Sequence, residues 1–173
     1  MGPITLITGG ARSGKSGYAI ERALAYRGSR RVFIATAQAL DDEMRARIEH
    51  HRAARPPEFQ TVEEPLNVAA ALTRLGDRAD VVVLDCLTLW VSNLMALHAN
   101  DSAVLNGVDA LATALRAGAW ASVIVTDEVG AGIVPDNPAA RRFRDLLGWT
   151  NQKVAKVAEE VIMMVAGLPL RVK

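Results

Sequence analysis

Gly9-Gly10-Ala11-Arg12-Ser13-Gly14-Lys15-Ser16 is the stretch whose reading decides the fold. It completes the pattern G-x-x-x-x-G-K-[S/T], the phosphate-binding P-loop. The apolar run Ile4–Thr8 before it reads as a strand. Lys15–Arg27 after it reads as a helix, with Ile20, Ala23 and Leu24 on one face and Gly28 as its stop. Strand, glycine-rich turn and helix start are the context this motif needs. The glycines let backbone N–H groups curl toward phosphate oxygens, and the helix N-terminus adds partial positive charge. Lys15 is expected on the terminal phosphates, and the Ser16 hydroxyl on Mg²⁺.

Outward from this stretch, strand and helix patterns alternate. Arg31–Thr36, Asp80–Leu84, Ser122–Thr126 and Val161–Ala166 are short apolar runs without polar alternation, as expected of strands covered on both faces. Helices are predicted over Asp41–Ala54, Leu66–Leu75, Thr88–His98 and Ser102–Ala117, and from an Asn137-Pro138 start to about Glu160. Leu170–Val172 is expected to return as a hairpin edge. The prediction is one α/β domain over 1–173, a mainly parallel sheet with helices on both faces.

The 173 residues are 50% hydrophobic and 23% charged, with a net charge of +1. That balance fits a soluble globular chain and gives no basic field for nucleic acid or an anionic membrane. Cys86 is the only cysteine, so no internal disulfide or CxxC zinc pair is available, and a reducing cytoplasm is expected. No uncharged apolar stretch approaches the roughly 18–20 residues of a membrane span, and no leader peptide is read at the start.

Two groups of side chains go beyond the loop. Asp85 ends the VVVLD run, where a P-loop protein places a carboxylate for the metal or its water; Asp127 and Glu128 after SVIVT compete for related roles. His50 and His51 form the other group. At about 100° per residue, His51 shares a face with Met44 and Ile48 and is expected to be packed. His50 shares a stripe with Glu43 and Arg47 and is expected to be exposed and reactive. A neutral imidazole can attack phosphorus, with Arg47, Arg52 or Arg55 to hold a phosphate. Trp90 and Trp149 read as core or interface residues. Gly130–Pro135 reads either as a tight loop set by glycine geometry or as a segment that closes over a ligand or braces a neighbouring subunit.

These residues carry a resemblance. TGGARSGKS at Thr8–Ser16, IATAQALDDEMRARIEHHRAARP at Ile34–Pro56, LDCLTLWVSNL at Leu84–Leu94, DEVGAGIVPDNPAARRFRDLLGWTNQ at Asp127–Gln152 and VAGLPLRVK at Val165–Lys173 resemble the bifunctional adenosylcobinamide kinase / adenosylcobinamide-phosphate guanylyltransferase family of cobalamin biosynthesis. The resemblance implies a RecA-like P-loop fold and a homotrimer. It implies phosphorylation of adenosylcobinamide by ATP or GTP. GMP then passes from GTP through a histidine, which maps onto His50, to adenosylcobinamide-phosphate. It places nucleotide contacts on Gly9–Ser16, on Ala35, Thr36 and Ala37, on His51, Arg52, Ala53 and Ala54, on Glu63 and on Asp85. The helix bearing His50 is expected to move inward on nucleotide binding, with Arg52–Pro57 as hinge. A simpler small-alcohol kinase would also use the loop and would leave His50 idle.

Overall fold

Alternating buried side chains explain the architecture. In the computed structural model, which describes residues 1–173, the chain runs β1 (Ile4–Gly9), α1 (Lys15–Ala25), β2 (Arg31–Ala35), α2 (Asp42–Ala53), β3 (Phe59–Glu63), α3 (Val68–Leu75), β4 (Val81–Asp85), α4 (Leu87–Leu97), α5 (Asp101–Ala117), β5 (Ala121–Val125), α6 (Pro138–Val157), β6 (Glu160–Val165) and β7 (Leu168–Arg171). On β1 and β4, Ile4, Leu6, Val82 and Leu84 face one core, shared with residues of α3 to α6. Ile7, Val81 and Val83 face the other, under Ala19 and Ala23 of α1. Both sheet faces are therefore covered, which is why these strands lack polar positions.

The seven strands lie in the order β3-β2-β4-β5-β1-β6-β7. All pairs are parallel except β6 with β7. The registers set one row across the C-terminal end of the sheet: Ile7, Val125, Asp85, Ala35 and Glu63. Neighbouring strands are about 4.8 Å apart, so this row gathers the ends of five strands along one edge. Ligands of open α/β sheets bind outside the carboxyl ends of strands.

Three boundaries differ from expectation. Phe59–Glu63 is a strand that the hydrophobic pattern did not reveal, because an edge strand buries only Phe59 of its five residues. The last helix stops at Val157, where Ala158 turns extended. The final strand begins at Leu168, earlier than Leu170. The Asn137-Pro138 start holds: the Asn137 side chain accepts hydrogen bonds from the N–H groups of Ala139 at 2.8 Å and Ala140 at 3.2 Å.

Candidate active site

The loop between β1 and α1 has the backbone that its sequence demands. Gly9 has φ 148°, and a Cβ there would lie 2.5 Å from the Met164 carbonyl oxygen. Gly14 has φ 94° and caps α1 without a side-chain hydrogen bond. The first-turn N–H groups of α1 thus have no side-chain acceptor and remain available to an anion. Arg12 takes the left-handed conformation at φ 55°. Lys15 is buried, and its ammonium donates to the Gly10 carbonyl at 2.6 Å and meets Asp127 Oδ1 at 2.7 Å. The loop and Asp127 thus engage the cation that a phosphate would claim.

Asp127 is fixed from two further elements. Its N–H donates to Thr88 Oγ1 of α4 at 2.9 Å, and its carbonyl accepts from Asn151 Nδ2 of α6 at 3.0 Å. The sequence offered Asp127 only as a competitor for metal roles; its pairing with Lys15 required the sheet order. Asp85 does not stand on the strand next to β1, since β5 lies between them. Asp85 nevertheless approaches the loop: burial raises its carboxyl above the usual range, while Ser16, His51 and Lys15 pull it back down. Burial likewise pushes the Cys86 thiol up to about 12, which leaves it an unreactive neutral group.

Thr36 has a structural task. Its hydroxyl donates to the Cys86 carbonyl at 2.7 Å and accepts from the Cys86 N–H at 2.9 Å. Its own N–H goes to the Asp85 carbonyl and its carbonyl accepts from Asn93. Every polar group of this fully buried residue is engaged, so it clamps β2 to the turn after Asp85.

A cleft of about 1120 Å³ opens above this edge. Its lining includes Ala11–Ser16, Ala35, Ala37, Asp85, Asp127 and, from α2 and its exit, Arg47, His50, His51 and Arg55. Both histidines are exposed, with ring centroids 6.1 Å apart. The expectation of a packed His51 is corrected. None of the residues of α2 is buried, because its apolar stripe of Met44 and Ile48 faces the cleft rather than the sheet. Arg52, Ala53, Ala54 and Glu63 are exposed outside this lining, and Arg52 pairs with Glu63. Gly9 and Gly10 lie outside this lining.

The loop, the acids and an exposed histidine in one cleft make a phosphate-transferring site, and comparison with known proteins sharpens it. The family model described as cobinamide kinase / cobinamide phosphate guanyltransferase matches residues 5–172. The chain belongs to that family. Its relatives include the bifunctional adenosylcobalamin biosynthesis protein CobP of Pseudomonas aeruginosa, 44% identical over 169 residues, 97% of this chain and 96% of that protein. The bifunctional adenosylcobalamin biosynthesis protein CobU of Escherichia coli is 40% identical over 180 residues, 97% and 98% of the two chains. Among solved structures, the KaiC-like protein PH0186 of Pyrococcus horikoshii has a TM-score of 0.50 at 16% identity, covering 93% of this chain and 70% of that one. That likeness concerns the fold alone and fits the RecA-like P-loop architecture. Membership of the cobinamide kinase / cobinamide phosphate guanyltransferase family bears out the resemblance and identifies the chain as a transferase.

Proposed function

We propose that this chain phosphorylates the hydroxyl of adenosylcobinamide and then transfers GMP from GTP, through His50, onto the resulting phosphate. The observation that carries this reading is the position of His50. It is exposed and lines the same cleft as the phosphate loop. A buried ring, or one on the opposite side of the molecule, would have left a plain kinase.

In the first reaction the nucleoside triphosphate, ATP or GTP, lies with its phosphates on the N–H groups of Gly9–Ser16. Lys15 leaves Asp127 for the terminal phosphates, and the corrinoid hydroxyl attacks the γ-phosphorus as the bond to the β,γ-bridging oxygen breaks; the nucleoside diphosphate leaves and the hydroxyl proton passes to solvent. Ser16 and Asp85 are the residues to hold Mg²⁺. They lie beside each other, and one hydroxyl with one carboxylate suits an ion that keeps several waters and takes its other ligands from phosphate. When bound there, the ion neutralises phosphate charge. In the second reaction His50 attacks the α-phosphorus of GTP, pyrophosphate leaves, and the phosphate of the corrinoid then takes GMP from the histidine. The nucleotide contacts proposed are Gly9–Ser16, Ala35 and Ala37, Asp85, and His51 with the segment Arg52–Ala54 and Glu63. Of the last group, His51 lines the cleft, while Arg52–Ala54 and Glu63 lie beside it.

Such a site works where nucleoside triphosphates are abundant, in the cytoplasm, and no helix here is long and apolar enough to cross a membrane. The family resemblance adds a homotrimer. The decisive measurement uses GTP labelled at the α-phosphate. Wild-type protein is expected to retain acid-labile label and His50→Ala none. Phosphorylation of the corrinoid without label in either protein would leave only the kinase.

A further inference from the structure

Three arginines near the histidines were equivalent in sequence, and the fold separates them. Arg52 is neutralised by Glu63 outside the cleft. Arg47 also lines the cleft without a salt bridge, but it lies on a helix that buries nothing, so nothing fixes its guanidinium. Arg55 is built in. Its guanidinium carbon stacks 3.7 Å from the Phe33 ring centroid, and its Nη1 donates to Thr61 Oγ1 at 2.6 Å. Phe33 is itself held edge-on by Phe59, ring centroids 6.2 Å apart.

This half-buried cation lines the cleft without a carboxylate in salt-bridge contact, and its Nε is buried without a partner. Burial makes its charge costly, pulling the guanidinium below its ordinary value, with Asp85 opposing. A desolvated guanidinium fixed by stacking, with unfilled donors beside a nucleotide cleft, is arranged to receive an anion. It stands on the sheet side of the cleft, anchored to β2 and β3, five positions after the nucleophile. It therefore stays with the nucleotide while α2 moves.

We propose that Arg55 is the cation that holds the α-phosphate during guanylyl transfer, a catalytic residue for that reaction and a bystander in phosphorylation. This rests on the histidine reading above. As the bond between His50 nitrogen and the α-phosphorus forms, the bond from that phosphorus to the bridging oxygen breaks. The electron pair leaves with pyrophosphate, and the imidazole proton passes to solvent. Arg55 stabilises the non-bridging oxygens during this step. It does so again when the corrinoid phosphate attacks the same phosphorus and the histidine leaves. The kinase reaction breaks a bond at the γ-phosphorus and develops no new charge on the α-phosphate, so a cation held there gives that step no added stabilisation.

The test compares both reactions in the full-length protein at saturating nucleotide. Arg55→Ala is expected to slow label transfer from α-labelled GTP to His50 by about 100-fold or more, the loss typical of one transition-state donor. Its kinase kcat should stay within about threefold of wild type, which also reports an intact fold. Arg55→Lys should fall between, since it keeps charge without the planar fork. Added guanidinium below denaturing concentration should restore part of the transfer in Arg55→Ala and none of the kinase difference. Unchanged label transfer in Arg55→Ala would overturn the assignment. So would an equal fall in both reactions without guanidinium rescue, which is the mark of a packing role. A wild-type protein that phosphorylates the corrinoid but takes no label is a different failure, that of the histidine reading itself.

Discussion

At the scale of single residues, the site is held in tension before any ligand arrives. Asp85 is an acid kept among strand ends at the cleft. Its carboxyl is raised above the unfolded value near 3.9. Folding therefore takes up protons in the interval from about pH 4 to the raised value. Stability falls as pH rises through that interval, and the full penalty is present above it. Asp85→Asn removes the charge and keeps the shape. In chelator at neutral pH its Tm should rise by at least about 3 °C, the shift that 1 kcal/mol gives in a chain of this size. The same variant should lose metal-dependent turnover. An unchanged or lower Tm would show that Asp85 is already satisfied by its neighbours. Lys15 carries the opposite tension, since a phosphate must draw it from Asp127 and the Gly10 carbonyl.

At the scale of elements, α2 is the anomaly. It is a helix of 12 residues with none buried. A helix of that length is marginal in water without packing. Its N-terminus is secured, because Asp41 accepts from the Met44 N–H at 2.7 Å. Its other end is tied to the sheet through Arg55. An element fixed at both ends and loose between them suits a nucleophile that must approach its substrate. Amide hydrogens of α2 should exchange well before those of α5, whose Val104, Val108 and Leu111 are fully buried. Saturating GTP should slow exchange in α2. Exchange as slow as α5 without nucleotide would argue for a rigid arm. The segment after β5 behaves differently. Gly130 and Gly132 show no left-handed backbone; a Cβ at Gly130 would lie 2.8 Å from Glu128 Oε1, while one at Gly132 would meet nothing. Arg144 donates to the Gly130 carbonyl at 2.6 Å and Arg141 to the Pro135 carbonyl at 2.9 Å, while Ile133 stands 96% exposed.

At the scale of the whole molecule, the two sheet edges are unequal. At the β3 edge, polar and charged residues face solvent. At the other, Val165, Leu168, Leu170 and Val172 are exposed on the β6–β7 hairpin. The register places Val165 opposite Leu168 and Met163 opposite Leu170, so these apolar groups share one face. An uncovered apolar edge of this kind is where further chains add. This is the face on which the proposed homo-oligomer is expected to form. Light scattering should give a mass well above the 18.6 kDa of one chain. Leu168→Lys combined with Leu170→Lys should reduce it to one chain. A wild-type mass of a single chain would exclude this surface as an interface.

Much of this was legible without coordinates, for a physical reason. The phosphate loop is local: its glycines, its lysine and the helix after it act within one turn of chain, so Gly9–Ser16 can be read in order. Buried parallel strands are also legible, because covered faces demand uninterrupted apolar runs. The phase of α2 separated His50 from His51, but it could not say what the helix packs on, and His51 proved as exposed as its neighbour. Edge strand β3 escaped because one buried residue leaves no period to read. Only tertiary structure decided that Arg52 is paired outside the cleft, that Arg55 is stacked and half-buried within it, which acid meets Lys15, and that Thr36 ties β2 to the turn after Asp85. Those facts depend on strands distant in sequence ending along one edge, and no local pattern encodes which ends become neighbours.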